Sequence, residues 1–129
     1  MRLVIGGCAQ GKREYVLSKY RLPKTAVRDA ALHLSQAAGD GPGPVVIDHF
    51  HLWVKGCMER GESPRELFLE FLKEHEDCIV ISDEVGNGIV PLDPGEREYR
   101  EGVGRLLTEL AARAEEVERV ICGIGQKLK

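Results

Sequence analysis

The sequence has no excess of positive charge to offer a polyanion. Its 18 Lys and Arg residues are outnumbered by 21 Asp and Glu, for a formal charge of -3. The two signs are interspersed, so the basic stripe that nucleic-acid binding usually needs is missing, and nucleic acid is not expected as a partner. Long apolar runs are also missing. The opening "MRLVIGGCAQ" breaks at two glycines, which fits neither a signal peptide nor a membrane span, and a cytoplasmic protein is expected. The four cysteines, Cys8, Cys57, Cys78 and Cys122, contain no C-x-x-C pair, which leaves a zinc site or disulfide framework without support. Three of them adjoin apolar runs and read as buried thiols, whereas Cys8 lies inside a glycine-rich stretch. Internal repeats and long low-complexity tracts are absent as well.

What is present is an alternation of short apolar runs with helical patterns. "RLVIG" at 2–6, "PVVID" at 44–48, "CIVIS" at 78–82 and "RVICG" at 119–123 read as strands buried on both faces, the mark of a mostly parallel sheet. Such strands need crossovers, which the intervening segments supply as helices. Ser63-Pro64-Arg65-Glu66 places a hydroxyl cap, a first-position proline and a third-position glutamate ahead of the stripe Leu67, Phe68, Phe71, Leu72, and that helix should end near His75. Asp93-Pro94-Gly95-Glu96 repeats the start signal before Tyr99, Val103, Leu106, Leu107, Leu110, Ala111 and Ala114. Gly102 and Gly104 within that helix imply close packing against a neighbouring backbone. "GDGPGP" at 39–44 reads as a loop. With 129 residues, 43% of them hydrophobic, one three-layer α/β domain is expected.

The chemistry concentrates in "GGCAQGKR", Gly6 to Arg13, which satisfies G-x-x-x-x-G-K-[ST] at every position but the last. A strand precedes it and "KREYVLSKY" can follow as a helix, the setting that phosphate binding requires. Backbone N–H groups of Gly6, Gly7, Cys8, Ala9, Gln10 and Gly11 could cradle phosphate oxygens, the helix N-terminus adds partial positive charge, and Lys12 could reach the terminal phosphates. Arg13 stands where a hydroxyl would bind Mg²⁺; a guanidinium offers no acceptor and repels the metal, so either another residue holds magnesium, or Arg13 itself supplies cationic charge to the bound phosphates, or catalysis has been lost. Asp48, ending "VVID", is placed to support magnesium beside such a loop, or to cap a helix starting at His49. His49 and His51 flank Phe50, so on extended backbone both would face one side, as metal ligands or in ordinary polar roles.

"CIVISDEVGNGIVP", Cys78 to Pro91, with the terminal "VICGIGQKLK" and the preceding "GRLLTELAARAEEVERV", resembles the adenosylcobinamide kinase/adenosylcobinamide-phosphate guanylyltransferase family. The resemblance implies a P-loop NTPase, a RecA-like α/β fold with a mostly parallel sheet flanked by helices. It also implies a role in cobalamin biosynthesis and assembly as a trimer. The family phosphorylates the aminopropanol hydroxyl of adenosylcobinamide with ATP or GTP and Mg²⁺, then transfers GMP through a histidine-linked intermediate. By position Gly6, Gly7, Gly11 and Lys12 would hold phosphates, Asp48 would occupy the acidic strand end, and Glu84 would be the signature glutamate, followed by Val85 and Gly86. Asp48 and Glu84 are then the candidate metal and catalytic carboxylates, with Lys12.

Three departures stand beside this match. Family members usually carry Ser or Thr at Arg13 and Asn at Asp83. They also have a longer insert before the Asp48 strand, which holds the nucleophilic histidine. His33 lies in the short segment here without basic surroundings to steady a guanylylated imidazole, so the guanylyltransferase step is expected to be absent. Asp83 beside Glu84 could restore metal affinity lost at Arg13, or form a solvated acidic turn. The leading expectation is a shortened kinase with a nucleoside triphosphate and a corrinoid as ligands. The alternatives are a non-catalytic nucleotide- or anion-binding relative acting as structural or regulatory partner, and a kinase of another small alcohol.

Overall fold

The computed structural model describes residues 1–34, 43–86 and 92–129. Within these, the apolar runs form one six-stranded sheet in the order β2-β3-β4-β1-β5-β6. The strands are β1 (Arg2–Gly6), β2 (Val27–Asp29), β3 (Val45–Asp48), β4 (Cys78–Asp83), β5 (Glu116–Ile121) and β6 (Ile124–Lys127). The first five run parallel and β6 returns antiparallel to β5. Because the inner strands are buried on both faces, successive residues feed different cores. Leu3, Ile47 and Val80 join one apolar cluster with α3 (Phe50–Glu59), α4 (Pro64–Glu74) and α5 (Pro94–Arg113). Val4, Val46, Ile79 and Ile81 join the other with Val16 of α1 (Lys12–Lys19). The result is the three-layer P-loop NTPase architecture, with β4 inserted between the loop strand β1 and the Asp48 strand β3.

Parallel pairing sends the strand ends to one edge. Gly6 pairs with Asp83 and Asp29 with Asp48, so three carboxylates and the glycine loop share the C-terminal edge, where open α/β sheets place their ligands. Helix α4 starts as its cap signal requires, with Ser63 Oγ accepting from the Glu66 N–H, and His75 is its C-cap. Asp93 likewise caps the 20-residue α5. Helix α1 is tied to β5 by a part-buried polar cluster: Tyr15 Oη and Lys19 Nζ donate to Glu118 Oε1 at 3.1 and 2.6 Å.

Several local expectations give way. The fourth apolar run belongs to a strand that begins earlier, at Glu116, and ends at Ile121, because Cys122 and Gly123 adopt positive φ and turn the chain into β6. Cys122 is therefore exposed rather than buried, while Cys57 and Cys78 are buried as expected. Gly102 faces the Met58 side chain, not a backbone, and Gly104 has open space beside it. Strand β2 and the short α2 (Ala30–His33) come from a segment too polar and too brief to announce itself. Most of the 39–44 loop and residues 87–91 of the Val85 to Pro91 loop lie outside the described residues. Among the described residues no helix is long and apolar enough to cross a membrane.

Candidate phosphate-binding site

Strand β1 ends at Gly6 and α1 starts at Lys12, so Gly7 to Gly11 must turn within five residues. Two left-handed positions accomplish this, Ala9 at φ 55° and Gly11 at φ 83°, and Gly11 is the N-cap of α1. A helix start leaves its first-turn N–H groups without intrahelical acceptors, so they point into the mouth of the loop. The loop is braced from outside. The hairpin turn between β5 and β6 donates the Cys122 N–H to Gln10 Oε1 at 2.7 Å and the Gly123 N–H to the Gln10 carbonyl at 2.8 Å.

A cavity of about 230 Å³ opens here, lined by Cys8 to Glu14 together with Asp48, His49 and Asp83. Its charged lining comprises two cations, Lys12 and Arg13, and three carboxylates, Glu14, Asp48 and Asp83. Lys12 is buried, with Nζ 2.6 Å from the Gly7 carbonyl and 2.6 Å from Asp83 Oδ1. Asp83 is held from behind by His51, whose Nδ1 accepts the Asp83 N–H at 3.1 Å and whose Nε2 lies 3.4 Å from Asp83 Oδ2. Burial pushes the His51 imidazole below its ordinary value, against the opposing pull of Asp83. The neutral ring thus accepts at Nδ1 and carries its proton on Nε2, facing the carboxylate.

Arg13 occupies the hydroxyl position with Nη1 3.9 Å from Asp48 Oδ2. Asp48 Oδ1 accepts the His49 N–H at 2.8 Å, but the residue that caps α3 is His49, at φ 57°. Asp48 is therefore not the helix cap, and its second oxygen faces Arg13 Nη1 at 3.9 Å and His49 Nε2 at 4.0 Å. The extended backbone imagined for His49 and His51 is replaced by a helix start that sends their rings to different partners. His49 Nδ1 lies 3.3 Å from Asp29 Oδ1, and His51 faces Asp83. Among the described residues no group of three or more His, Cys, Asp or Glu side chains is arranged to hold a metal ion. A magnesium ion that arrives on a triphosphate asks less, one or two carboxylates plus waters, and Asp48 and Asp83 fit that requirement.

Glu84 is placed differently from the other candidates. Its N–H donates to the Gly6 carbonyl at 2.8 Å, and its Oε2 takes both Arg119 Nε and Nη2 at 3.1 Å. It does not line the cavity. The structure thus brings together Cys8 to Arg13 and Asp48, and leaves Gly6, Gly7 and Glu84 out of the cavity lining. The sequence reading missed the clamp on Gln10, the role of His51 and the Arg119 partner. Their pairings span 32 to 112 positions, and no local pattern marks them.

A family model described as cobinamide kinase / cobinamide phosphate guanyltransferase matches residues 18–128. The chain belongs to this family. The match starts within α1, beyond the phosphate loop. Among similar proteins, the bifunctional adenosylcobalamin biosynthesis protein CobU of Salmonella typhimurium is 45% identical over 51 residues, which is 40% of this chain and 28% of that protein. The protein of the same name from Escherichia coli gives the same figures. The bifunctional adenosylcobalamin biosynthesis protein CobP of Pseudomonas aeruginosa is 32% identical over 91 residues, 66% of this chain and 53% of that protein. The matched stretches thus span about a quarter to half the length of these relatives of the cobinamide kinase family.

Proposed function

We propose that this chain binds a nucleoside triphosphate, ATP or GTP, at the Gly6 to Arg13 loop and acts as a cobinamide kinase in cobalamin biosynthesis. The observation that carries the reading is the convergence of the loop, Lys12, Asp48 and Asp83 on one cavity at the C-terminal edge of the parallel sheet. In this reading the loop N–H groups and the α1 N-terminus hold the phosphate chain, and Lys12 stabilises charge on the transferred group. Magnesium, when bound with the nucleotide, supplies further neutralisation of phosphate oxygens, and Asp48 would hold it through water. Glu84, fixed by Arg119 outside the cavity wall, is assigned to the acceptor side, where it would orient the corrinoid hydroxyl. The guanylyltransferase step is assigned no nucleophile in this chain. Calorimetric titration with ATP and GTP, with and without Mg²⁺, tests the reading. Saturable binding that Mg²⁺ strengthens and Lys12→Ala abolishes is expected; no binding of either nucleotide would refute it.

A second reading, a non-catalytic nucleotide- or anion-binding relative that acts as a structural or regulatory partner, is favoured by one contact. The Arg13 guanidinium stands beside Asp48, on the carboxylate that magnesium would need. Turnover of adenosylcobinamide with either triphosphate separates the two, since this relative binds nucleotide and leaves the acceptor unphosphorylated.

A further inference from the structure

We infer that Asp83 is a counter-ion latch on the loop lysine, which the triphosphate must displace to bind; the inference rests on the nucleotide reading above. Lys12 Nζ has two partners in the structure, the Gly7 carbonyl and Asp83 Oδ1, each at 2.6 Å. A lysine reaching a terminal phosphate must turn its donors toward the cavity, and the Asp83 carboxylate lies on the wall of that cavity. The carboxylate is not a loosely held neighbour. His51 grips its backbone N–H through Nδ1 and faces its second oxygen through Nε2, and Gly6 pairs with Asp83 across the β1–β4 ladder. The latch is thus built into the sheet, while Lys12 opens helix α1 directly after the glycine loop.

The consequence is a site that discriminates by charge. With two cations against three carboxylates in its lining, the cavity by itself is no ready anion trap. A metal-free triphosphate meets Asp83 directly, and the repulsion between a carboxylate and a phosphate a few ångströms apart is large at the low effective dielectric of such a cleft. A triphosphate bearing magnesium brings positive charge for the carboxylate as it takes the lysine from it. Asp83 therefore makes nucleotide binding depend more steeply on the divalent ion than the loop alone would.

The test is calorimetric titration of ATP, in excess EDTA and in Mg²⁺, into the wild type, Asp83→Asn and Asp83→Ala. The asparagine variant keeps the shape and the His51 contacts; the alanine variant removes the charge and the side-chain contacts while keeping the backbone N–H on His51. Both should bind metal-free ATP at least tenfold more tightly than the wild type, with less than threefold change in Mg²⁺. Glu101→Gln, which removes an exposed carboxylate of α5 that does not line the cavity, should change metal-free affinity by less than twofold. Metal-free affinity unchanged in both Asp83 variants overturns the latch, and leaves the kinase reading standing if the wild type binds Mg-ATP. An equal gain from Glu101→Gln also overturns it, by reducing the effect to net charge. Absence of binding to all of the proteins overturns the latch together with the reading it rests on.

Discussion

The two glycines that open the phosphate loop stand side by side but tolerate a methyl group very differently. A Cβ at Gly6 would lie 2.5 Å from the Val120 carbonyl oxygen and 3.3 Å from Lys12 Cδ, whereas one at Gly7 meets nothing nearer than Gln10 Cγ at 3.5 Å. Neither residue has a positive φ, so backbone conformation does not decide the comparison. Ordinary contact begins at about 3.4 Å, so Gly6→Ala must move β1 and β5 apart by about 0.9 Å where they leave the sheet. Overpacking of this kind costs about 1–3 kcal/mol. With a urea m-value of about 1.5 kcal/mol/M, a 2 kcal/mol loss lowers the unfolding midpoint by roughly 1.3 M. Gly7→Ala should stay within about 0.5 kcal/mol, or roughly 0.3 M on the same scale. Urea unfolding followed by circular dichroism measures both. Equal midpoints for the two variants, or a lower one for Gly7→Ala, would refute the steric argument. Because the new methyl also presses on the Lys12 stem, Gly6→Ala should weaken ATP binding more than Gly7→Ala does.

Two further outcomes follow from burial. His51 has its folded pKa pushed below 6.5 by desolvation, so the unfolded chain takes up a proton first as pH falls. Unfolding then binds protons, and stability, undiminished above pH 6.5, declines as pH drops from there toward the folded pKa. Chemical denaturation between pH 7.5 and 5 should show this slope and His51→Gln should flatten it; an identical slope in both proteins would count against the assignment. For the thiols, Cys8 and Cys122 are exposed, whereas Cys57 and Cys78 are buried, with the Cys78 thiol pushed up to about 12 by burial. Ellman's reagent should therefore titrate two thiols in the native protein and four in guanidinium, and fast reaction of a third native thiol would contradict the packing.

The inner strands were legible because both faces of the sheet are covered there, which leaves "VVI" of β3 and "CIVI" of β4 apolar without a break. The capped helices α4 and α5 were legible for a local reason, since Ser63-Pro64 and Asp93-Pro94 carry the start signal within two residues. Strand β5 begins in "EVE", where Glu116 and Glu118 carry charge into the sheet because Tyr20 and Tyr15, a hundred positions away, supply the hydrogen bonds. No window of sequence contains that compensation. The same limit governs the site. The loop and Asp48 sit at strand ends and could be placed by pattern. The grip of Asp83 on Lys12 depends on β4 lying beside β1, and the separation of Glu84 from the cavity depends on Arg119. Both are products of strand order.

The brace on Gln10 sets an order of events during synthesis. The loop and its lysine leave the ribosome before residues 78–83 and 116–121, from which β1, in the middle of the sheet, takes its neighbours. The hairpin turn that fixes Gln10 is made later still. Contacts of such long sequence separation close slowly, and an emerging chain exposes unpaired strand edges until they do. The glycine loop is thus translated ahead of the strands that flank β1 and completed after them, and apolar β1 waits, unprotected, until residues 78–121 have followed it.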